Sequence, residues 1–269
     1  MRNSDYLKIE DPYLLVEHYK RQLKDGLRSK HKPVIISTNS KVMKNEKEGY
    51  LTACIHFSPA TESVGWGGTN MCASCSYGCS HGCLKTAGCH AMPYQKVRRI
   101  ALTLWWLQYR DSFMDQLHDE MKALINKAKN KGLKLAFRPN ALSDRRDFAL
   151  SLVEIYPEVQ FYDYTKLPQA WKVHQPGRYH ITFSQSETNL YEVHEAMKHG
   201  LNVAVVFNGE LPDTYLGRPV IDGDLNDARF LDPEGVIVGL KIKGRNSSKS
   251  WATTTGFAVK SGYQPLQLI

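Results

Sequence analysis

No stretch of this 269-residue chain reaches the roughly 18 consecutive apolar residues that a membrane span requires. The opening residues, MRNSDYLKIEDPYLLVEHYK, hold no apolar signal core ahead of their charges. Both absences lead us to expect a cytoplasmic protein with no membrane partner. The Gly-x-Gly-x-x-Gly turn of a dinucleotide fold is also missing. Internal repeats, low-complexity tracts and composition breaks are absent too. We therefore expect a single α/β domain over residues 1–269, with a basic helical extension at 1–33 and a cysteine-rich metal-binding loop at 66–92. No feature selects an oligomeric state.

Carboxylates are scarce in one half. Residues 1–133 carry 20 Lys and Arg against 12 Asp and Glu, whereas residues 134–269 carry 15 of each, so the net charge of +8 sits in the first half. The runs RSKHK (Arg28–Lys32) and KVRR (Lys96–Arg99) contribute to it. An anionic partner, either a small molecule or nucleic acid, would account for the surplus, and so would a solvated basic surface.

The remaining elements alternate. A helix fits residues 11–26, with Asp11 as cap, Pro12 in the first turn and Gly26 as stop. A strand fits 50–57, and two helices fit 95–109 and 111–132. Strands over 133–140, 159–165, 179–186, 201–208 and 235–244 are interleaved with helices at 143–156 and 189–200 and a short helical stretch at 166–173. Ser143 and Asn189 are read as caps, with Glu192 at the capping-box position. Such alternation implies a parallel sheet, and its strand count suits a full or partial βα (TIM-like) barrel.

Several strands mix polar with apolar residues. YHITFSQS sets His180, Thr182, Ser184 and Ser186 against Tyr179, Ile181 and Phe183. LAFRPN pairs Arg138 with Asn140, FYDYTK separates Asp163 and Thr165 from Tyr162, Tyr164 and Lys166, and Asn208 ends its strand. GLKIKGR aligns Lys241, Lys243 and Arg245. Most lie at C-terminal strand ends, where barrel enzymes place their sites. We expect Asp163 and Lys241 as catalytic groups, and Arg138, Asn140, Ser184, Ser186, Asn208 and Lys243 around an anionic cofactor or substrate. A half-exposed sheet face would produce the same pattern. The carboxylates Asp222, Asp224 and Asp227 lack calcium-loop spacing and are read as turn residues.

Against this ordinary background, five of six cysteines fall at Cys72, Cys75, Cys79, Cys83 and Cys89, spaced C-x2-C-x3-C-x3-C-x5-C. An odd number in a reducing compartment points away from disulfides. An iron–sulfur cluster, of the [4Fe–4S] type, ranks first, with Gly78, Gly82 and Gly88 supplying the bending. Zinc ranks second, because the second ligand pair would be wide and near. Thiol redox chemistry ranks third. A cluster in the loop after an early barrel strand would sit at the catalytic mouth, as in radical S-adenosylmethionine enzymes. Their C-x3-C-x2-C signature is not present, so that parallel is one of architecture.

Several blocks resemble a family of bacteriophage-encoded proteins: NSKVMKNEKEGYLTACIHFSPA, CLKTAG, VQFYDYTKLP, YHITFS, NVAVVFNGELPDTYLGRPVIDGD and RFLDPEGVIVGLKIKG. The resemblance runs from about Asn39 to the C-terminus. It implies a phage origin, hence an infected bacterial host, and a site built on three thiolates matching Cys72, Cys79 and Cys83. It also implies roles for Asn140, Ser143 and Asp144, while Cys75 and Cys89 stand as additions. The combined expectation is an iron–sulfur, radical-S-adenosylmethionine-like enzyme acting on a nucleotide or nucleic acid. The alternative is a zinc-stabilised nucleic-acid-binding protein.

Overall fold

A computed structural model describes residues 34–38 and 40–263. The helix expected at 11–26 and the basic run Arg28–Lys32 lie outside the described residues. Nine strands form the sheet: β1 (Tyr50–Cys54), β2 (Lys134–Arg138), β3 (Gln160–Thr165), β4 (Tyr179–Ser184), β5 (Val203–Asn208), β6 (Thr214–Tyr215), β7 (Arg218–Asp222), β8 (Ile237–Lys241) and β9 (Ala258–Lys260). The helices are α1 (Ser40–Met43), α2 (Tyr77–His81), α3 (Pro93–Gln108), α4 (Arg110–Asn130), α5 (Arg146–Ile155), α6 (Leu190–Lys198) and α7 (Asn246–Thr254).

The strand order is β1-β2-β3-β4-β5-β8-β7-β6. Every ladder is parallel except the β6–β7 hairpin. β4 pairs with β5 only at Val203 and Ala204, and β9 takes over the same edge from Val206 to Asn208. What the ladders establish is a mixed α/β fold on a mostly parallel sheet. Among the described residues no ladder joins β1 to the far edge, so barrel closure is not part of the pairing.

Side chains on a strand alternate between faces, and that period decides what each face holds. Leu51, Ala53, Leu135, Phe137, Phe161, Ile181, Phe183, Val203, Val205 and Phe207 join one buried cluster with Trp105, Phe113, Phe148 and Val193 of the helices. Phe57, just past β1, centres an aromatic knot: its ring lies 5.6 Å from Trp106, 5.8 Å from Phe113 and 5.1 Å from Phe148. Tilted and edge-on aromatic contacts of this kind add to the free energy of burial.

The opposite face carries Thr52, Cys54, Arg138, Tyr162, Tyr164, His180 and Thr182. It is covered by the connection from β7 to β8. There the Asp227 amide donates to Asn45 Oδ1 at 3.1 Å, and Phe230 packs 4.7 Å from Tyr50 and 5.5 Å from Tyr162. Tyr162, Thr182 and Arg229 are almost fully buried. Most of this polar face is therefore enclosed rather than washed by water. The β6–β7 hairpin, α7 and β9 escape the sequence reading because they are short and, in β7, half-exposed with Pro219 as the second residue.

Candidate functional site

The 55–92 connection leaves β1 and returns into α3, spreading across the C-terminal ends of β2, β3 and β4. Each anchor is identifiable. The Met71 amide donates to Ala60 O at 3.1 Å, and the Asp144 amide donates to Met71 O at 2.8 Å. Cys72 forms a parallel bridge with Asp144. The Asp144 carboxylate in turn accepts from Thr165 Oγ1 at 2.7 Å and from the Lys166 amide at 2.8 Å, joining the ends of β2 and β3 beneath the cysteines. Glu187, just past β4, accepts from Ser76 Oγ and from the Gly78 amide, both at 2.6 Å. Ser76 Oγ caps α2 by accepting from the Cys79 amide at 3.1 Å. At the far end Arg99 makes a two-pronged pair with Glu62, both contacts 2.9 Å, and donates to His90 O. Its side chain is 2% exposed.

The glycines do something other than the bending expected of them. Only Gly88 of the three has a left-handed backbone, at φ 50°. Gly78 and Gly82 let α2 lie against α7: a Cβ on Gly78 would stand 2.3 Å from Thr255 Oγ1 and 2.7 Å from Phe257 Cβ, and one on Gly82 would stand 2.8 Å from Ala252 Cβ.

Among the cysteines the structure separates three from two. Cys72, Cys79 and Cys83 interact with one another electrostatically in every pairing, and Lys166 faces Cys79 and Cys72. Cys75 faces Cys79 and Lys166 from the side, and Cys89 is exposed. No disulfide joins any of the six cysteines. Burial pushes the Cys72 thiol up to about 12 and Cys83 to about 11, reinforced by their neighbouring thiols. Cys75 is also raised, chiefly by burial. Burial alone would lower Lys166, but Cys79 and Asp144 hold it above its ordinary value. Among the described residues no three Cys, His, Asp or Glu side chains are drawn in to metal-ligating distance. The donor set is nonetheless chemically coherent: three thiols on one short segment, able to become ligands as they release their protons.

A cleft of about 290 Å³ opens beside this group, bounded by Cys75, Ser76, Lys166, Thr188, Asn189 and Glu192. Lys166 is the cation that reaches both the cleft and the thiols.

Below lies the enclosed polar face. Arg138 Nη1 donates to Asp227 Oδ2 at 3.3 Å, and the Tyr162 hydroxyl donates to the same oxygen at 2.9 Å. The guanidinium sits 4.6 Å over the Tyr164 ring. Arg138 Nε, the Tyr164 hydroxyl, His180 Nε2 and Thr182 Oγ1 are buried with no hydrogen-bond partner among the described residues. Tyr164 and Thr182 are ladder neighbours, as are Tyr162 and His180. Burial lowers His180 to about 3, helped by His174 and Arg229, so it is neutral at physiological pH. Buried polar groups without partners are rare and concentrate where a protein handles polar molecules.

Other expected residues lie elsewhere. Asp163 points to the helix-packed side, opposite Arg138, and accepts from the Asn140 amide and Nδ2, both at 2.9 Å, and from the Tyr179 hydroxyl at 3.0 Å. Burial raises its pKa to about 7 against those donors. Asn140 completes the structural role: its Oδ1 accepts from Ser143 Oγ and from the Arg145 amide, so Ser143 does not cap α5. Asn189 stands at the N-cap of α6 as expected, but its side chain turns back to bond Ser186 and Ser184 instead of the helix amides. Ser184 and Ser186 are buried near the cleft. Asn208 donates to Thr253 Oγ1 of α7 at 3.0 Å. Lys241 and Lys243 are tied to Glu210 and Asp224 by exposed ion pairs at 3.1 and 2.6 Å. Of the KVRR run, Arg99 is buried in its pair and Arg98 donates to the Val34 and Ile35 carbonyls. Asp222 accepts from the Asp224 amide in a local turn, as expected, whereas Asp227 is a buried partner of Arg138. Lys166, Asp144 and Glu187 were missed as site residues. Only the Ser-Asp match had singled out Asp144.

The family described as Gene product 88 has a model that matches residues 32–260. No curated protein and no solved structure matches the chain.

Proposed function

The chain belongs to the phage-type Gene product 88 family, and we propose that it is an iron–sulfur protein whose centre is held by Cys72, Cys79 and Cys83. We infer further that it works as a radical-S-adenosylmethionine-like enzyme on an anionic nucleotide or nucleic-acid substrate. The observation that carries this reading is the seating of the segment that bears those three cysteines over the C-terminal strand ends, through the Cys72–Asp144 bridge and the Glu187 bonds to Ser76 and the Gly78 amide, with Lys166 lining the cleft beside it. A cluster held by Cys72, Cys79 and Cys83 alone would supply the reducing chemistry by which S-adenosylmethionine enzymes start radical reactions.

The chain's own residues fit the supporting tasks. Lys166 places a fixed positive charge between thiols and cleft, where an anionic substrate or a carboxylate-bearing cofactor would be drawn. Asp144 holds the amide of Lys166 and so fixes the direction of that side chain's stem. The β7–β8 connection closes the sheet from the opposite side and limits entry of water to Arg138, Tyr164 and Thr182. Their unpaired atoms are suited to a second polar fragment of the substrate or cofactor.

Anaerobic purification tests the reading. A brown protein absorbing near roughly 400 nm, whose electron paramagnetic resonance spectrum changes on adding S-adenosylmethionine, is the expected result. Replacing Cys72, Cys79 or Cys83 with Ser should remove iron, and Cys89→Ser should keep it. Cys75 supports a second reading, because it faces Cys79 and would close the site as a fourth thiolate. That arrangement fits a structural zinc in a nucleic-acid-binding protein. A colourless protein holding stoichiometric zinc would establish it over the first.

A further inference from the structure

We propose that the outer surface shared by α2 and α7 is a docking platform for single-stranded nucleic acid, leading it into the cleft beside the cysteines. The proposal names the substrate class for the cysteine site and rests on that assignment only for its last step, delivery to the cleft.

Three aromatic side chains stand together in solvent there. Tyr77 is 56% exposed and Trp251 48% exposed, and His81 is exposed beside them. Their ring centres lie 4.1 Å apart for Tyr77 and His81, 5.8 Å for Tyr77 and Trp251, and 5.9 Å for His81 and Trp251. A protein with a full aromatic core elsewhere has no packing reason to leave such a group outside.

Charge supplies the second observation. Between Glu62 and Asp111 the chain has no Asp or Glu, and it has none after Glu234. The first of these stretches carries α2 and the second carries α7. They meet through Gly78 and Gly82 against Thr255, Phe257 and Ala252, and through Gly244 against Thr86. Two carboxylate-free segments thus form one continuous surface. Some of its cations are consumed internally, as Arg99, Lys241 and Lys243 are. Lys85, Arg245 and Lys249 form no ion pair among the described residues. The one carboxylate shown bonding to α2, that of Glu187, is turned inward onto Ser76 and the Gly78 amide.

Exposed aromatics interleaved with unpaired cations are the combination that holds unstacked bases while tracking phosphates. A duplex hides its base faces, so the platform suits a single strand. Its position gives direction: Ser76 lines the cleft and Tyr77 is the next residue, so a base resting on Tyr77 and Trp251 puts its neighbour within reach of Lys166.

Fluorescence anisotropy with a labelled DNA strand of about 20 nucleotides, longer than typical single-strand footprints, and with its duplex is the test. The strand should bind more tightly than the duplex, and its affinity should fall steeply with salt. Tyr77→Ala and Trp251→Ala should each weaken binding roughly tenfold, with unchanged thermal unfolding. Lys85→Ala and Lys249→Ala together should flatten the salt dependence. Absence of binding at low salt, equal affinity for strand and duplex, or aromatic variants that bind as the unaltered protein does would each overturn the platform. A surface built for an acidic protein would give the second or third of these results, because its cations would still attract phosphates at low salt. Metal content measured on the same preparations separates the two proposals. Lost binding with iron retained removes the platform alone. Retained binding with no iron in the unaltered protein removes the cluster alone.

Discussion

Burial and hydrogen bonding oppose each other at Asp163, and the pH dependence of stability reads out which prevails. The side chain is 2% exposed, and burial pushes its pKa from 3.8 to about 7 despite three donors from Asn140 and Tyr179. A raised acid pKa means that the folded chain keeps a proton that the unfolded chain has released. The stabilisation from this group is therefore complete below about pH 4, declines as pH rises, and is gone above about pH 7. At about 1.4 kcal/mol per unit, the whole shift is worth about 4 kcal/mol. Asp163→Asn removes the titration. It keeps an acceptor for the Asn140 amide but sets two side-chain amides against each other, which costs about 1–3 kcal/mol relative to the protonated acid. Urea unfolding of both proteins across about pH 4 to 8 gives the answer. The unaltered protein should be the more stable at about pH 4 and should lose about 4 kcal/mol relative to the variant over that range, which reverses the order. A constant difference would refute the argument and show that the three donors keep the carboxylate ionised throughout.

Gly78→Ala should drive α2 away from Thr255 and Phe257, costing about 1–3 kcal/mol in thermal unfolding and lowering metal content per chain. Arg99→Ala or Glu62→Ala should each cost about 3–5 kcal/mol, because each leaves a buried charge alone. The double variant should cost less than the sum of the two, and a double-mutant cycle by chemical unfolding measures the difference. Lys241→Ala breaks an exposed pair and should change stability by less than about 1 kcal/mol.

The alternation of strands and helices from β1 to β5 was legible because long periodic segments dominate it. Helices α3, α4, α5 and α6 appear near their expected places, with α5 beginning three residues later than Ser143 suggested. The delay has a cause: Asn140 supplies the side-chain acceptor at that turn. Strand period also separated Asp163 from Tyr162, Tyr164 and Lys166 correctly, but not which face the helices cover. Polarity drew attention to Asp163, yet Phe161 on the same face marks it as the core side, and Lys166 on the other reaches the cysteines. Position at the C-terminal end of a strand was not sufficient for Lys241 and Lys243, whose partners Glu210 and Asp224 follow the flanking strands β5 and β7. Grouping of Cys72, Cys79 and Cys83 came from family resemblance rather than spacing, since spacing treats Cys75 as their equal. The close approach of Gly78 and Gly82 to α7 depends on residues far away in sequence and left no local signal.

That last contact sets a timetable. The chain reaches α7 only 163 residues after Cys83. At a synthesis rate of about 5–20 residues per second, about 10–30 s pass before the helix that seats the cysteine segment emerges. During that interval the thiols are on a nascent chain in which α2 can be held by Glu187 but not yet by α7. For the proposed metal centre, loading would be easiest before the fold is finished, and arrival of α7 would end that window. The order of residues along the chain becomes an order of events: thiols first, clamp last.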